Sequence, residues 1–499
     1  VASVGVSSGI VSGVTGGNAT ITYKMPTGCI TTSVVTVNAL PAIISGVTSL
    51  CEGATSNFSD ATAGGVWSSS DVTVATVSPA GLVTAVAAGN VVISYTLGTG
   101  CYRTSALTVN PLPAAITGTG VVCSGSTTNL SDATPGGTWS SSNGAVANIG
   151  SVSGIVTGVS AGTAYITYRM ATGCNTTSIV TVNALPSIIS GTPTVCIGDV
   201  TNLTDASPGG VWSSSNPAVA TVGAGTGVVT GVAAGNADIT YTLPTGCARA
   251  VTITVNSLPA AITGTLVFCA GSTSALADAT AGGTWSSSNT AIATIGSSSG
   301  IATGVAGGNA TITYRLATGC IATGIATVNP LPAAITGSNS VCIGSTTNLS
   351  SATAGGVWSS SNAGVASVVA GTGVVTGVSA GNATISYVLG TGCYRTVNMT
   401  VNSLPAAIGG TLVVCAASTT ALSDATAGGT WSSSATAVAT VVSSTGLVTG
   451  VSAGNANITY TLPTGCFATA AVTVNAQPAV ITGTAAVCVG STTNLSDAT

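Results

Sequence analysis

Short runs of alternating small apolar and polar residues follow one another along the chain, and turns that contain glycine separate them. Alternation of this kind puts one face of a β-strand toward a core and the other face toward solvent. The clearest run in the sample stretch 258–330 is ATITYRL at 310–316. For this stretch the pattern predicts seven strands, at 260–263, 273–280, 284–288, 291–295, 301–305, 310–316 and 325–329.

The spacing of these strands indicates the fold class. Seven short strands with turn signals every ~8–12 residues are typical of an antiparallel sandwich. No apolar pattern of helical period lasts longer than one turn, and Val, Thr and Gly dominate the sequence. We therefore predict an all-β chain whose unit is a seven-stranded immunoglobulin-like β-sandwich.

The same pattern recurs with a period of about 73 residues, which makes the chain a linear tandem array. Six repeats are complete, and the chain starts and stops in the middle of a repeat. We expect either a piece of a longer array or a subunit that assembles end to end, and a rod of roughly 250 Å from the rise of the strands. The predicted boundaries are 1–39 (partial, later strands), 40–111, 112–184, 185–257, 258–330, 331–403, 404–476 and 477–499 (partial, first strands).

Each complete repeat carries one tryptophan, in a WSS motif on its predicted third strand. A large aromatic side chain on a strand of a small sandwich is expected to fill the core, and stacking on a ligand is the alternative. The predicted core residues are Trp67, Trp139, Trp212, Trp285, Trp358 and Trp431.

Charge excludes several classes of partner. Charged residues make up 3% of the chain, against about 25% in an ordinary soluble protein. The chain therefore lacks the basic patch that nucleic acid or anionic lipid requires. No run of ~18 apolar residues is present, so we predict no membrane insertion. A net charge of −4 opposes self-association only weakly, which favours copies of the chain as its partners.

Candidate chemistry is sparse. Nucleophilic catalysis needs a base beside the nucleophile, and the chain has no histidine. The one recurring acid lies in the LSDAT motif, for example Asp278, and a single carboxylate per repeat is too few for calcium. We predict no enzyme activity, no cofactor and no metal. The recurring carboxylate is expected instead to pair with the one cation of its repeat, Arg315 in this example.

Fourteen cysteines at strict spacing indicate an oxidising compartment, and hence an extracellular or cell-surface protein. Free buried cysteines are the alternative. Zinc is not supported, because the chain contains neither a CxxC motif nor histidine.

The direction of the strands selects a disulfide pairing. Cys269 follows the first strand of its repeat and Cys320 precedes the last, so the two should lie ~25–30 Å apart. A disulfide needs Cα atoms within ~7 Å, which leaves the far end of one repeat and the near end of the next. A first strand that folds back would instead return Cys269 to Cys320. The predicted pairs are Cys51–Cys174, Cys123–Cys247, Cys196–Cys320, Cys269–Cys393 and Cys342–Cys466.

The stretch WSSSNPAVATV at 212–222, followed by GVVTGVAAGNADITY at 227–241, resembles the bacterial immunoglobulin-like domain of group 2. The resemblance recurs once per repeat and covers essentially the whole chain. It implies a secreted or surface protein of bacteria, often the stalk of an adhesin. Two cysteines per repeat and the scarcity of charge depart from the usual pattern, and variants of this kind resemble repeats in giant secreted proteins of the Bacteroidota.

Two functions remain. In the first, the chain is a structural protein of an extracellular fibre, filament or stalk. In the second, it is an adhesin whose repeats bind glycan or protein ligands. Binding loops are expected to differ between repeats and to carry aromatic side chains. Here the loops are nearly identical copies, and their aromatic residues are Tyr102, Tyr394 and Phe467. This favours the structural protein.

Overall fold

The computed structural model describes residues 1–498 and contains strands and turns but no helix in that range. The prediction of an all-β tandem array is confirmed. The chain divides into two compact units, of which the first is Val1–Ser257 and the second begins at Leu258. Each unit contains three complete repeats, and each repeat is a sandwich of two sheets.

The repeat 258–330 shows the seven-stranded topology that the complete repeats share. Its larger sheet has the strand order first, seventh, sixth, third, and its smaller sheet has the order second, fifth, fourth. The repeats 112–184 and 404–476 add a two-residue strand before the first of these seven, Thr117–Gly118 and Gly409–Gly410 respectively.

In the repeat 258–330, the first strand pairs with the seventh in parallel, from Val267 opposite Thr327 to Cys269 opposite Asn329. All the other pairs in this repeat are antiparallel. Because the first and last strands run the same way, the chain enters the repeat at one end and leaves it at the other.

Three strand assignments from the sequence need correction, and one of them is the second strand, which is Thr273–Ala275 and not 273–280. The first strand is Val267–Cys269 and not 260–263. The earlier run forms only an isolated bridge between Thr263 and Ala277, and its Ile262 packs against the core without joining a ladder. The last strand is Ile321–Asn329, so it begins directly after Cys320 and four residues earlier than predicted. The backbone of its first half pairs with the sixth strand, although the residue types there do not alternate clearly between apolar and polar.

The first unit contains the partial repeat 1–39 and three complete repeats. Its strands are β1 (Ala2–Val4), β2 (Val11–Gly13), β3 (Gly17–Lys24), β4 (Ile30–Val37), β5 (Ser49–Cys51), β6 (Thr55–Asn57), β7 (Gly65–Ser69), β8 (Ala75–Val77), β9 (Leu82–Ala85), β10 (Gly89–Leu97), β11 (Tyr102–Asn110), β12 (Thr117–Gly118), β13 (Val121–Cys123), β14 (Thr127–Ser131), β15 (Thr138–Ser141), β16 (Ala147–Ile149), β17 (Ile155–Gly158), β18 (Gly162–Arg169), β19 (Asn175–Asn183), β20 (Thr194–Cys196), β21 (Val200–Asn202), β22 (Val211–Ser214), β23 (Ala220–Val222), β24 (Val228–Gly231), β25 (Gly235–Thr242) and β26 (Ala248–Asn256).

The second unit contains three complete repeats and the partial repeat that follows them. Its strands are β27 (Val267–Cys269), β28 (Thr273–Ala275), β29 (Thr284–Ser287), β30 (Ala293–Ile295), β31 (Ile301–Gly304), β32 (Gly308–Arg315), β33 (Ile321–Asn329), β34 (Ser340–Cys342), β35 (Thr346–Asn348), β36 (Val357–Ser360), β37 (Ala366–Val368), β38 (Val374–Gly377), β39 (Gly381–Val388), β40 (Tyr394–Asn402), β41 (Gly409–Gly410), β42 (Val413–Cys415), β43 (Thr419–Ser423), β44 (Thr430–Ser433), β45 (Ala439–Val441), β46 (Leu447–Gly450), β47 (Gly454–Thr461), β48 (Phe467–Asn475), β49 (Thr482–Gly483) and β50 (Leu495–Ser496).

Every complete repeat has its own core. In the repeat 258–330, the sixth strand buries Ala310, Ile312 and Tyr314 and turns the residues between them outward. Its tryptophan, Trp285, stacks at a tilt on Tyr314 with ring centroids 4.6 Å apart. The fully buried Ile312 adds about 1.5–3 kcal/mol to stability relative to an exposed side chain. Five of the six tryptophans are buried, and Trp67 is half-buried.

Candidate functional site at the repeat junctions

The first cysteine of each repeat lies at the end where the chain leaves that repeat. Cys51 is the last residue of β5, and the parallel ladder puts it opposite Asn110, the last residue of β11. Cys123 lies opposite Asn183 in the same way in the next repeat. The sequence alternation alone could not show this position, because the first strand is only three residues long.

The second cysteine lies at the end where the chain enters its repeat. Cys174 directly precedes β19, and its Sγ atom is 3.9 Å from the backbone carbonyl oxygen of Asn110 in the preceding repeat. The same carbonyl oxygen accepts a hydrogen bond of 2.9 Å from the amide of Glu52, the residue after Cys51. Asn110 therefore brings the two cysteines of one junction together.

The structure joins these cysteines into disulfides at two junctions within each unit. The Cα atoms of the pairs are 5.5–5.7 Å apart, a separation at which disulfides form without distortion of the backbone. Each bridge closes a loop of 123 or 124 residues. The joined pairs are Cys51–Cys174, Cys123–Cys247, Cys269–Cys393 and Cys342–Cys466.

The fifth predicted pair, Cys196–Cys320, has one member in each unit and stays a prediction; both cysteines are in the disulfide form. Within residues 1–498, the free thiols are those of Cys29, Cys101, Cys415 and Cys488. Cys101 makes the contact that the joined cysteine Cys174 makes, since its thiol lies 3.7 Å from the carbonyl oxygen of Asn38, but Cys101 is half-buried and Cys174 is fully buried.

Side chains of each repeat form hydrogen bonds to the backbone of the peptide that enters it. In the repeat 40–111, the amide of Ala42 donates to Oδ1 of Asp60 at 3.1 Å and to Oγ1 of Thr62 at 2.9 Å. The amide of Thr62 donates to the same Oδ1 atom at 2.7 Å. The recurring aspartate thus closes a turn and fixes the residue after the Leu-Pro dipeptide.

The expected pairing of this aspartate with an arginine is wrong. The Oδ2 atom of Asp60 is buried without a hydrogen-bond partner, as it is in Asp132, Asp205, Asp278 and Asp424. Arg103 donates through Nε to the carbonyl oxygen of Pro41 at 3.2 Å, and Arg249 and Arg395 bond Pro186 and Pro332 likewise. The two charges lie at the same end of the repeat, as the sequence predicts, but each binds the backbone of the entering peptide.

The core is linked to the same turn. The hydroxyl of Tyr95 donates to the carbonyl oxygen of Thr62 at 2.7 Å and accepts from the amide of Gly65 at 2.9 Å. The stacking of Trp67 on Tyr95, at 4.6 Å, holds this hydroxyl in place. The tryptophan therefore positions the turn that binds the entering peptide, and it is also a core residue.

One cavity borders the turn at Asp205. It has a volume of about 400 Å³ in the repeat 185–257 and is lined by Asp205, Trp212 and Tyr241 among others. Only 6% of Trp212 is exposed, so no ring face is available for stacking. The one carboxylate of the lining is that of Asp205, whose Oδ1 atom accepts a hydrogen bond of 2.7 Å from the amide of Ser207 in its own turn. Among the residues that the structure describes, no helix is long and apolar enough to cross a membrane.

Comparison with known proteins gives related sequences and folds. The family model described as bacterial Ig-like domain (group 2) matches residues 31–106, 198–255, 323–401 and 394–474. Ice-binding protein 1 of Shewanella frigidimarina is 30% identical over 374 residues, which are 61% of this chain and 41% of that protein. The chain therefore spans about two fifths of this relative's length.

Solved structures of other immunoglobulin-like arrays also align with the chain. The N-terminal eight domains of Down syndrome cell adhesion molecule are 11% identical, with 92% of this chain and 77% of that chain covered and a TM-score of 0.22. Domains 4–9 of surface layer protein SbsC are 14% identical, with 94% and 95% covered and a TM-score of 0.16.

Proposed function

Because the chain belongs to the bacterial Ig-like domain (group 2) family, we propose that it is a non-catalytic structural protein of an extracellular fibre, filament or stalk on a bacterial surface. The observation that carries this proposal is the disulfide between neighbouring repeats at each of four junctions. Disulfides persist in oxidising environments, and these bridges tie repeats to one another where a binding module would need none.

Copies of the same chain are the partners that this function needs. Charged residues are 3% of the sequence and the net charge is −4, so electrostatic repulsion between copies is weak. Exposed apolar side chains, among them Ile179 at 54% and Ile325 at 62%, supply contact area on the outer face of the larger sheet. Lateral packing of several arrays into a fibre is consistent with both features.

The proposal is tested on intact cells that carry the protein. An antibody against the repeats is expected to label unpermeabilised cells. A membrane-impermeant maleimide is expected to leave the eight bridged cysteines unmodified until a reductant is added. Labelling that requires permeabilised cells, together with freely reactive thiols at these positions, would contradict an extracellular structural role.

Adhesion is the second candidate, and one observation favours it. Tyr102, Tyr394 and Phe467 are 56–59% exposed at the start of the last strand of their repeats, where they can contact a ligand. One relative is named an ice-binding protein, so ice and glycans are the surfaces to probe. Binding by the chain that is lost in the triple variant Tyr102→Ala, Tyr394→Ala, Phe467→Ala would support adhesion over a purely structural role.

A further inference from the structure

We propose that the disulfides give each unit two short covalent tracks, and that these tracks limit how far the array lengthens when its repeats unfold. This inference rests on the proposed structural function, since only a fibre or stalk carries tension. It follows from which residues the bridges join, and from the parallel pairing of the first and last strands in each repeat.

The first track in the first unit runs through the bridge Cys51–Cys174. From Cys174 the chain continues along β19, crosses the linker and follows β20 to Cys196, only 22 residues later. This segment passes through two whole repeats, because Asn183 ends one repeat and Cys196 lies opposite Asn256 at the end of the next.

The second track lies beside the first. It follows the chain from Cys101 to Cys123, again 22 residues, and crosses the bridge to Cys247. In the repeat 112–184 the two tracks are the first and last strands, which are hydrogen-bonded to each other with Cys123 opposite Asn183. Each repeat is thus crossed twice by chain that leads directly from one bridge to another.

The second unit has the same arrangement. One track crosses the bridge Cys269–Cys393 and continues 22 residues to Cys415. The other runs from Cys320 to Cys342 and crosses the bridge to Cys466.

The remaining chain lies outside the tracks. The segment between Cys123 and Cys174 contains the second to sixth strands of its repeat and Trp139. Its two ends are fixed to different tracks, Cys174 to the first and Cys123 to the second, so it is the 51-residue link through which tension passes from one track to the other. The tryptophan core stabilises the repeat and aligns the tracks.

Chain length decides how much an unfolded repeat can extend. Fully extended chain spans about 3.3–3.6 Å per residue, so a segment of 22 residues reaches about 75 Å across two repeats. That is about 40 Å per repeat, close to the ~30 Å of a nine-residue strand with its turns. Without bridges the whole repeat of about 73 residues would extend to about 250 Å. Unfolding therefore releases about 200 Å per repeat only when the bridges are absent.

The test is single-molecule stretching of the full chain held at its two ends. With the four bridges intact, the shortest covalent route between the ends contains about 200 residues and extends to about 700 Å. In reductant the route is the whole chain, and the expected limit is about 1,700 Å. Oxidised molecules that lengthen in steps of about 200 Å per repeat would overturn the proposal.

A pair of variants makes the test independent of the reductant. Cys51→Ser with Cys123→Ser removes both bridges of the first unit and is expected to lengthen the oxidised chain by at least about 400 Å. Cys415→Ser with Cys488→Ser removes two free thiols and should leave the limit unchanged. Circular dichroism verifies that both variants fold. If the two variants extended to the same maximum length, the proposal of covalent tracks would be contradicted. The proposed surface location would not be affected, because it is tested separately on cells.

Discussion

The Sγ atom of Cys174 lies 3.9 Å from the backbone carbonyl oxygen of Asn110, the last strand residue of the preceding repeat. Asn110 is at the same time the ladder partner of Cys51, to which Cys174 is bonded. The end of one repeat, the start of the next and the bridge between them thus meet at one residue. Cys247, Cys393 and Cys466 repeat this contact with Asn183, Asn329 and Asn402.

The first prediction concerns the stability that one bridge supplies. Cys123→Ser with Cys247→Ser opens a loop of 124 residues, and the loss of loop-closure entropy from the unfolded state corresponds to about 4–5 kcal/mol. Hydrogen exchange of peptides from the repeats 112–184 and 185–257 should be faster by the corresponding factor. Cys29→Ser removes an exposed free thiol and serves as the control, for which no change is expected.

The second prediction compares two tyrosines of one strand. Tyr168→Phe removes the hydroxyl that donates to Thr134 and accepts from Gly137, which should cost about 1–3 kcal/mol. Tyr165→Phe, three residues earlier and 59% exposed, should be neutral. Hydrogen exchange of the repeat 112–184 measures both. Equal effects of the two substitutions would show that the hydroxyl does not hold the turn.

The third prediction tests the role of the recurring aspartate. Asp278→Ala removes the acceptor for the amides of Ala260 and Thr280 and should cost about 0.5–2 kcal/mol. Asp278→Ser should cost less, because Ser351 occupies this place in the repeat 331–403, where its hydroxyl donates to the carbonyl oxygen of Ala333 and accepts from the amide of Thr353. The free energy of local unfolding of the repeat is the readout. A strong dependence of that energy on NaCl would instead indicate an ion pair.

The fourth prediction concerns acid. Hydrogen bonds from the hydroxyl and then the amide of Thr73 lower the pKa of Asp71 below its usual value of 3.8. Because the folded-state pKa is lowered, the stabilisation is present above 3.8 and is lost as the pH falls from there through the folded-state pKa. Asn143 makes the equivalent bond to Ala145 and does not titrate. In acid the protection of the amides in the turn at Asp71, measured relative to their intrinsic exchange rates at each pH, should therefore fall, and Asp71→Asn should abolish this change.

The sequence predicts the sandwich because the sixth strand alternates clearly between apolar and polar residues and because the tryptophan recurs at the same place in every complete repeat. It fails at the first strand, where the three residues Val267–Cys269 are too few to show alternation. The apolar run at 260–263 resembles a strand, but its Ile262 is half-buried and packs against the core without joining a ladder. Sequence spacing also placed Asp60 and Arg103 at one end of the repeat. It could not show that Asp60 and Arg103 each bond the backbone of the entering peptide and not each other.

The central claim is that each bridge joins two neighbouring repeats, and disulfide mapping of the native protein tests it most directly. The native chain is digested without reduction, and the linked peptides are analysed by mass spectrometry. The residues that flank each cysteine identify the peptides that contain Cys269, Cys320, Cys342, Cys393 and Cys466. The account predicts peptides in which Cys269 is linked to Cys393 and Cys342 to Cys466. Peptides that link Cys269 to Cys320, within one repeat, would contradict it.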